Sequence, residues 1–145
     1  MKVLIAVDNT VDSENTIRAV IDGIRHEETE VVVLHVLQPV EPSAPPEMAQ
    51  GYAPELEDAK QAARAFVERV ADKLRKNGFA LQTEVRIGDV TQTILNRAAE
   101  WQADLIIVGS HGQRSIRDFL LGNVAESIAR RASCSVAIVR PSASR

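Results

Sequence analysis

The residues best suited to chemistry cluster in one stretch, Val108-Gly109-Ser110-His111-Gly112, which is followed further on by Gly122-Asn123. Glycines at this spacing let a backbone approach an anion closely and take up positive φ without a Cβ clash. Gly122 and Asn123 stand where an apolar helical pattern begins. Free N–H groups and the positive end of a helix dipole would therefore face the same anion. A phosphate group suits that chemistry. The same glycines would also serve as a turn and a close helix–sheet contact, and spacing alone does not choose between the two. A second candidate is Asp8, where the first apolar run stops in Ala6-Val7-Asp8-Asn9-Thr10. A carboxylate there accepts from a ligand or makes a local turn.

Other reactive side chains carry less. Ser110 and His111 are adjacent and rarely would face one another, and their setting is not the Gly-x-Ser-x-Gly elbow. No catalytic residue is assigned. Arg114 and Arg117 suit a solvated loop better than a phosphate contact, and His35 reads as a packed strand residue. Cys134, between Ser133 and Ser135, reads as a small buried hydrophobe. As the single cysteine it forms no internal disulfide. With His26, His35 and His111 it makes no zinc spacing, so no metal ligands are expected.

These residues need elements to position them. Five apolar, β-branched runs recur: Val3–Val7, Val31–Leu37, Leu81–Ile87, Leu105–Val108 and Ser135–Val139. The first, second and fourth are continuous, as in strands covered on both faces. Amphipathic helices fill the gaps. The first is expected to start from Asp12 or Ser13 as N-cap, with Ile17, Val20, Ile21 and Ile24 inward. The second has Pro54 in its first turn and Leu56, Ala59, Ala63, Phe66, Val67, Val70 and Leu74 at helical spacing, with Gly78 as the stop. The third opens at Asp89 with Gln92 in a capping-box arrangement and turns Ile94, Leu95, Ala98 and Ala99 inward. The fourth runs from Leu120 or Gly122 to Arg131, burying Val124, Ala125, Ile128 and Ala132. Strands alternating with helices predict an α/β fold with a parallel sheet and right-handed crossovers. Ligands of such sheets bind at the strands' carboxyl ends, where chain order reverses.

Composition narrows the function. The chain has 145 residues, 45% hydrophobic and 26% charged, which predicts one domain over residues 1–145 and excludes a disordered chain. The proline-rich segment at about 38–53 is expected to be an irregular loop, and the tail after Pro141 to fray. The apolar residues are 19 Ala, 17 Val, 11 Ile and 10 Leu, against three Phe, one Trp and one Tyr. A nucleic-acid platform needs stacked aromatics or a basic stripe, and a net charge of −3 opposes the latter, so no nucleic-acid partner is expected. No run is long enough to span a membrane. The apolar part of MKVLIAVDNT is too short for a signal peptide and ends at Asp8, so the chain reads as cytoplasmic. The last strand, Ser135–Val139, carries no charge; at a sheet edge it would need covering, and dimerisation is the natural solution.

The segment GSHGQRSIRDFLLGNVAESIARRASCSVAIVR resembles the C-terminal part of the universal stress protein family, and MKVLIAVDNTVDSENTIRAV resembles its opening strand and helix. Gly109, Gly112 and Gly122 fit the pattern of its nucleotide-binding members: Gly, two residues, Gly, nine residues, Gly, then Ser or Thr. GDVTQTILNRAAEWQADLIIVGSHG is similar to the family's third helix and fourth strand. The resemblance implies a single-domain five-stranded parallel sheet ordered 3-2-1-4-5 with helices on both faces, a Rossmann-like fold of the adenine nucleotide alpha hydrolase type. It implies Asp8 beside an adenine with Val7 and Asn9, Val36 near the base or ribose, and Val108 with them as an aliphatic lining. Gly109, Gly112, Gly122, Asn123 and Val124 would surround the phosphates. Asn123 departs from the pattern by replacing the hydroxyl residue; its amide still donates to a phosphate but is bulkier.

The expected function is therefore a stress-response module that binds an adenine nucleotide, ATP first, with AMP and ADP as alternatives and magnesium accompanying ATP. The expected partners are a second copy, met through the last strand (Val136, Ile138), and a protein the sequence does not name. The alternatives are slow ATP hydrolysis or phosphate transfer in the same pocket, and a nucleotide-independent dimeric scaffold. The enzyme reading lacks the Gly-x-x-x-x-Gly-Lys-Ser/Thr loop. An adenine here would lie among aliphatic side chains, with Tyr52 and Trp101 the aromatic exceptions to check.

Overall fold

The computed structural model describes residues 1–8, 11–38, 53–110 and 122–140. Asn9, His111, Gly112, Arg114, Arg117, Tyr52, nearly all of the proline-rich segment and the tail from Pro141 lie outside the described residues. Along the chain come β1 (Lys2–Ala6), α1 (Val11–Gly23), a 3₁₀ turn (His26–Glu28), β2 (Glu30–Leu37) and α2 (Ala53–Lys76). They are followed by β3 (Ala80–Ile87), α3 (Val90–Trp101), β4 (Leu105–Gly109), α4 (Asn123–Arg131) and β5 (Ser135–Val139). All pairings are parallel, and the sheet order is β3-β2-β1-β4-β5.

Continuous apolar runs became the central strands because both of their faces are covered. Val3, Ile5, Val31, Val33 and Ile107 pack with Ile17 and Val20 of α1 and Val67, Val70 and Leu74 of α2. The alternate residues Leu4, Val32, Leu34, Ile106 and Val108 pack with Ile94 and Ala98 of α3 and Ala125 and Ile128 of α4. A right-handed crossover explains the division. The chain steps outward from β1 through β2 to β3 with helices on one face, then returns past β1 to β4 and β5 with helices on the other.

Three local expectations are corrected. Neither Asp12 nor Ser13 caps α1: the helix begins at Val11, and the Ser13 hydroxyl turns back onto Asp8. Leu56 and Ala59, in the turns of α2 before buried Ala63, are exposed, and so is Ala99 of α3, which lines an open cavity with Ala132 and Cys134. The capping box of α3 is only half made. Asp89 accepts from the Gln92 amide at 2.9 Å, but the Gln92 side chain donates onward to Asn96 and accepts from Arg131.

Gly78 stops α2 as predicted. It sits at φ +91°, where a Cβ would stand 2.8 Å from His26 Cε1. We expect Gly78→Ala to lower unfolding free energy by about 1–2 kcal/mol, the cost of a left-handed residue, with further loss if the His26 ring cannot shift. The urea midpoint measures this; an unchanged midpoint would show that the turn relaxes freely.

Candidate functional site

The strand order reverses between β1 and β4, so the chain leaves their carboxyl ends for opposite faces of the sheet, α1 packing on one and α4 on the other. Ile5 pairs with Ile107, which puts Val7 level with Gly109 by register count. On the other side Ala6 pairs with Leu34, which puts Val36 level with Asp8. Val7 and Val108 are buried and Val36 is half-buried. The three valines lie on neighbouring strands about 4.8 Å apart. Val7 faces the layer of α1 and α2, while Val36 and Val108 face that of α3 and α4, so the strand ends are aliphatic on both sides of the sheet.

The exit from β1 is held by side chains. Val7 donates its N–H to the Leu34 carbonyl at 2.9 Å. Its own carbonyl accepts from His35 Nδ1 at 2.8 Å. Asp8 donates its amide to Ser13 Oγ at 3.0 Å, and the Ser13 hydroxyl is also placed to donate back to the Asp8 carbonyl. Asp8 is half-buried, with Ser13 Oγ 3.4 Å from its Oδ1. Sequence reasoning took Ser13 for a cap and His35 for packing. The polar character of both was visible, but the contacts across elements were not.

The exit from β4 is held by backbone. Ser110 donates its amide to the Val139 carbonyl at 2.8 Å, and its carbonyl accepts from the Gly122 amide at 2.6 Å. This second bond pins the start of α4 to the end of β4. Gly122 is the N-cap (φ −64°, ψ 157°) and makes no side-chain cap, while Glu126 donates to its carbonyl at 3.0 Å. The first-turn amides of α4 therefore begin at the switch point with no capping side chain from Gly122 over them. Asn123 is the first helical residue and is exposed, with Val124 half-buried beside it. The expected positive φ at Gly109 is not found: it is the last residue of β4, and among the described glycines only Gly78 and Gly88 have positive φ. Its extended backbone follows from the ladder to Val139. Ser110 is fully buried, which suits an anchor better than a nucleophile.

A model of the universal stress protein family matches residues 1–140. The protein "Universal stress protein Sll1388" of Synechocystis is 25% identical, over 96% of this chain and 97% of its own length. The solved structure of MJ0577 from Methanocaldococcus jannaschii superposes with a TM-score of 0.83 at 24% identity, covering 99% of this chain and 97% of that one. A universal stress protein family structure from Arabidopsis thaliana, described with AMP bound, gives a TM-score of 0.70 at 21% identity over 99% and 93% of the two chains.

The amino ends of the strands are different. Trp101 lies there, not at the switch point: its carbonyl accepts from Lys2 Nζ at 3.3 Å, and Lys2 and Arg97 flank its ring. A cavity of about 330 Å³ opens among Leu95, Ala98, Gln102, Ala132 and Cys134. Among the described residues no helix is long and apolar enough to cross a membrane, and no cluster of His, Cys, Asp or Glu could hold a metal ion. Burial pushes the Cys134 thiol above its ordinary pKa. A raised pKa means less thiolate at any given pH, and the thiolate is the nucleophile. Cys134 should therefore react with a disulfide reagent at pH 8 more slowly in the native chain than in the urea-unfolded chain, and the native rate should go on rising at higher pH. Equal rates at pH 8 would show an accessible, ordinary thiol.

Proposed function

This chain belongs to the universal stress protein family, and from that premise we propose that it binds an adenine nucleotide at the carboxyl ends of β1 and β4 and acts as a stress-response regulatory module. The observation that carries this reading is the start of α4. A glycine N-cap, pinned to Ser110, opens first-turn amides and a positive dipole end beside the crevice, which suits phosphate. The AMP held by the Arabidopsis relative is consistent with it. Val7, Val36 and Val108 would enclose the base, with Asp8 and Asn9 offering it hydrogen-bonding groups. Gly109, Gly112, Gly122, Asn123 and Val124 would receive the phosphates. ATP is the nucleotide we favour, since several phosphates exploit a helix terminus best; magnesium would arrive on those phosphates.

We further propose a cytoplasmic homodimer joined along β5. Among the described residues this edge strand pairs only with β4; it is uncharged and largely half-buried. The Val139 carbonyl faces β4, so by strand alternation the N–H and C=O groups of Val136 and Ile138 face outward. The opposite edge is guarded by charge. On β3, Glu84 takes a bidentate guanidinium from Arg97 (2.7–3.0 Å), and Arg86 binds Glu100 at 3.1 Å, holding the Glu100 carboxyl below its usual range.

ATP at a hundred times its dissociation constant should stabilise the chain by about 2.7 kcal/mol, raising the melting temperature by roughly 5–10 °C. Gly112→Val should abolish that shift without unfolding the chain. No response to millimolar ATP, or an undiminished one in the variant, would overturn the assignment. Ile138→Pro removes an outward N–H and should convert dimer to monomer in sedimentation with the circular dichroism spectrum retained; a persistent dimer would move the interface elsewhere.

A further inference from the structure

We propose that His35 is a positioning residue for the ligand at the β1–β4 switch point. Its ring N–H, in place of a backbone amide, holds the last peptide of β1 and so fixes where Val7 and Asp8 meet a bound nucleotide. The inference rests on the nucleotide reading above and adds to it a residue outside the lining of the crevice.

The regular ladder between β1 and β2 ends where Ala6 pairs with Leu34. One residue on, Val7 still donates to Leu34, but its carbonyl accepts from His35 Nδ1 at 2.8 Å. A ladder continued in register would give that carbonyl a main-chain amide of β2. The imidazole supplies the donor from a different direction, so β1 can leave the sheet toward α1 without stranding a buried carbonyl. A carbonyl only accepts, so the proton of this bond sits on Nδ1.

The ring is itself held. His35 shares the sheet face of Val31 and Val33 and is only 9% exposed. Its ring meets Phe66 of α2 edge-on, with centroids 5.4 Å apart at 74°. Phe66 thus fixes the imidazole, the imidazole fixes Val7, and Ser13 of α1 fixes Asp8. Support of this kind, from residues that do not touch a ligand, pre-organises the groups that do.

Two variants separate the N–H from the ring. His35→Phe keeps an aromatic face against Phe66 and removes the donor. His35→Asn removes the ring and keeps an N–H close to the position of Nδ1. We expect His35→Phe to weaken AMP and ATP binding about tenfold, the equivalent of one hydrogen bond. His35→Asn should hold affinity to within about twofold although it melts lower for want of the aromatic contact. Calorimetric titration with both nucleotides and a melting scan read the two effects apart. Nitrogen-15 spectra of the unaltered chain should show the ring proton on Nδ1. Equal loss of affinity in both variants, undiminished affinity in His35→Phe, or a bare Nδ1 would each overturn the positioning role while the nucleotide reading stands. Failure of the unaltered chain to bind either nucleotide would overturn that reading first, and this inference with it.

Discussion

A parallel strand that stops must leave its last backbone groups with partners, and how that is done at the ends of β1 and β4 shapes everything around the crevice. At β1 the carbonyl of Val7 goes to an imidazole and the amide of Asp8 to a hydroxyl. At β4 the amide and carbonyl of Ser110 go to main-chain groups of Val139 and Gly122. The first solution uses side chains drawn from β2 and α1. The second uses the next strand and the next helix. Either way the strand ends are fixed by other elements, some near in sequence, as Ser13 is to Asp8, and some far, as Val139 is to Ser110.

The crevice exists because the chain reverses. Two crossovers build α1 and α2 over one face, two more build α3 and α4 over the other, and the reversal leaves β1 and β4 adjacent with their following helices on opposite faces. The core that supports this is aliphatic on both sides. Val, Ile, Leu and Ala fill the layers between sheet and helices, and fully burying a side chain of this kind contributes about 1.5–3 kcal/mol. The same residues continue to the strand ends as Val7, Val36 and Val108. The strand ends are thus apolar without aromatic stacking, Val7 toward one face and Val36 and Val108 toward the other.

The two sheet edges are treated oppositely. Ion pairs of Glu84, Arg86, Arg97 and Glu100 lie over β3, where they oppose pairing with another chain. Nothing comparable is found on β5, whose residues carry no charge. One edge carries ion pairs, and the other carries no charge.

Much of this was legible in the residues. Continuous β-branched runs gave the strands to within a residue, and apolar spacing gave the helices. The resemblance carried by Gly109, Gly112 and Gly122 implied the strand order later found. The periodicity of a helix does not show how closely each turn is covered, and Leu56, Ala59 and Ala99 read as buried but are exposed. Glycine freedom does not say where it is used: Gly109 stays extended because β5 holds it in the ladder. Local pattern determined the elements, the two apolar faces and the short list of polar residues at strand ends. Only tertiary structure decided which of those residues meet. The bonds from His35 to Val7, Ser13 to Asp8 and Gly122 to Ser110 all depend on how elements are docked, and docking is set by the packing of whole faces rather than by any neighbour in the chain.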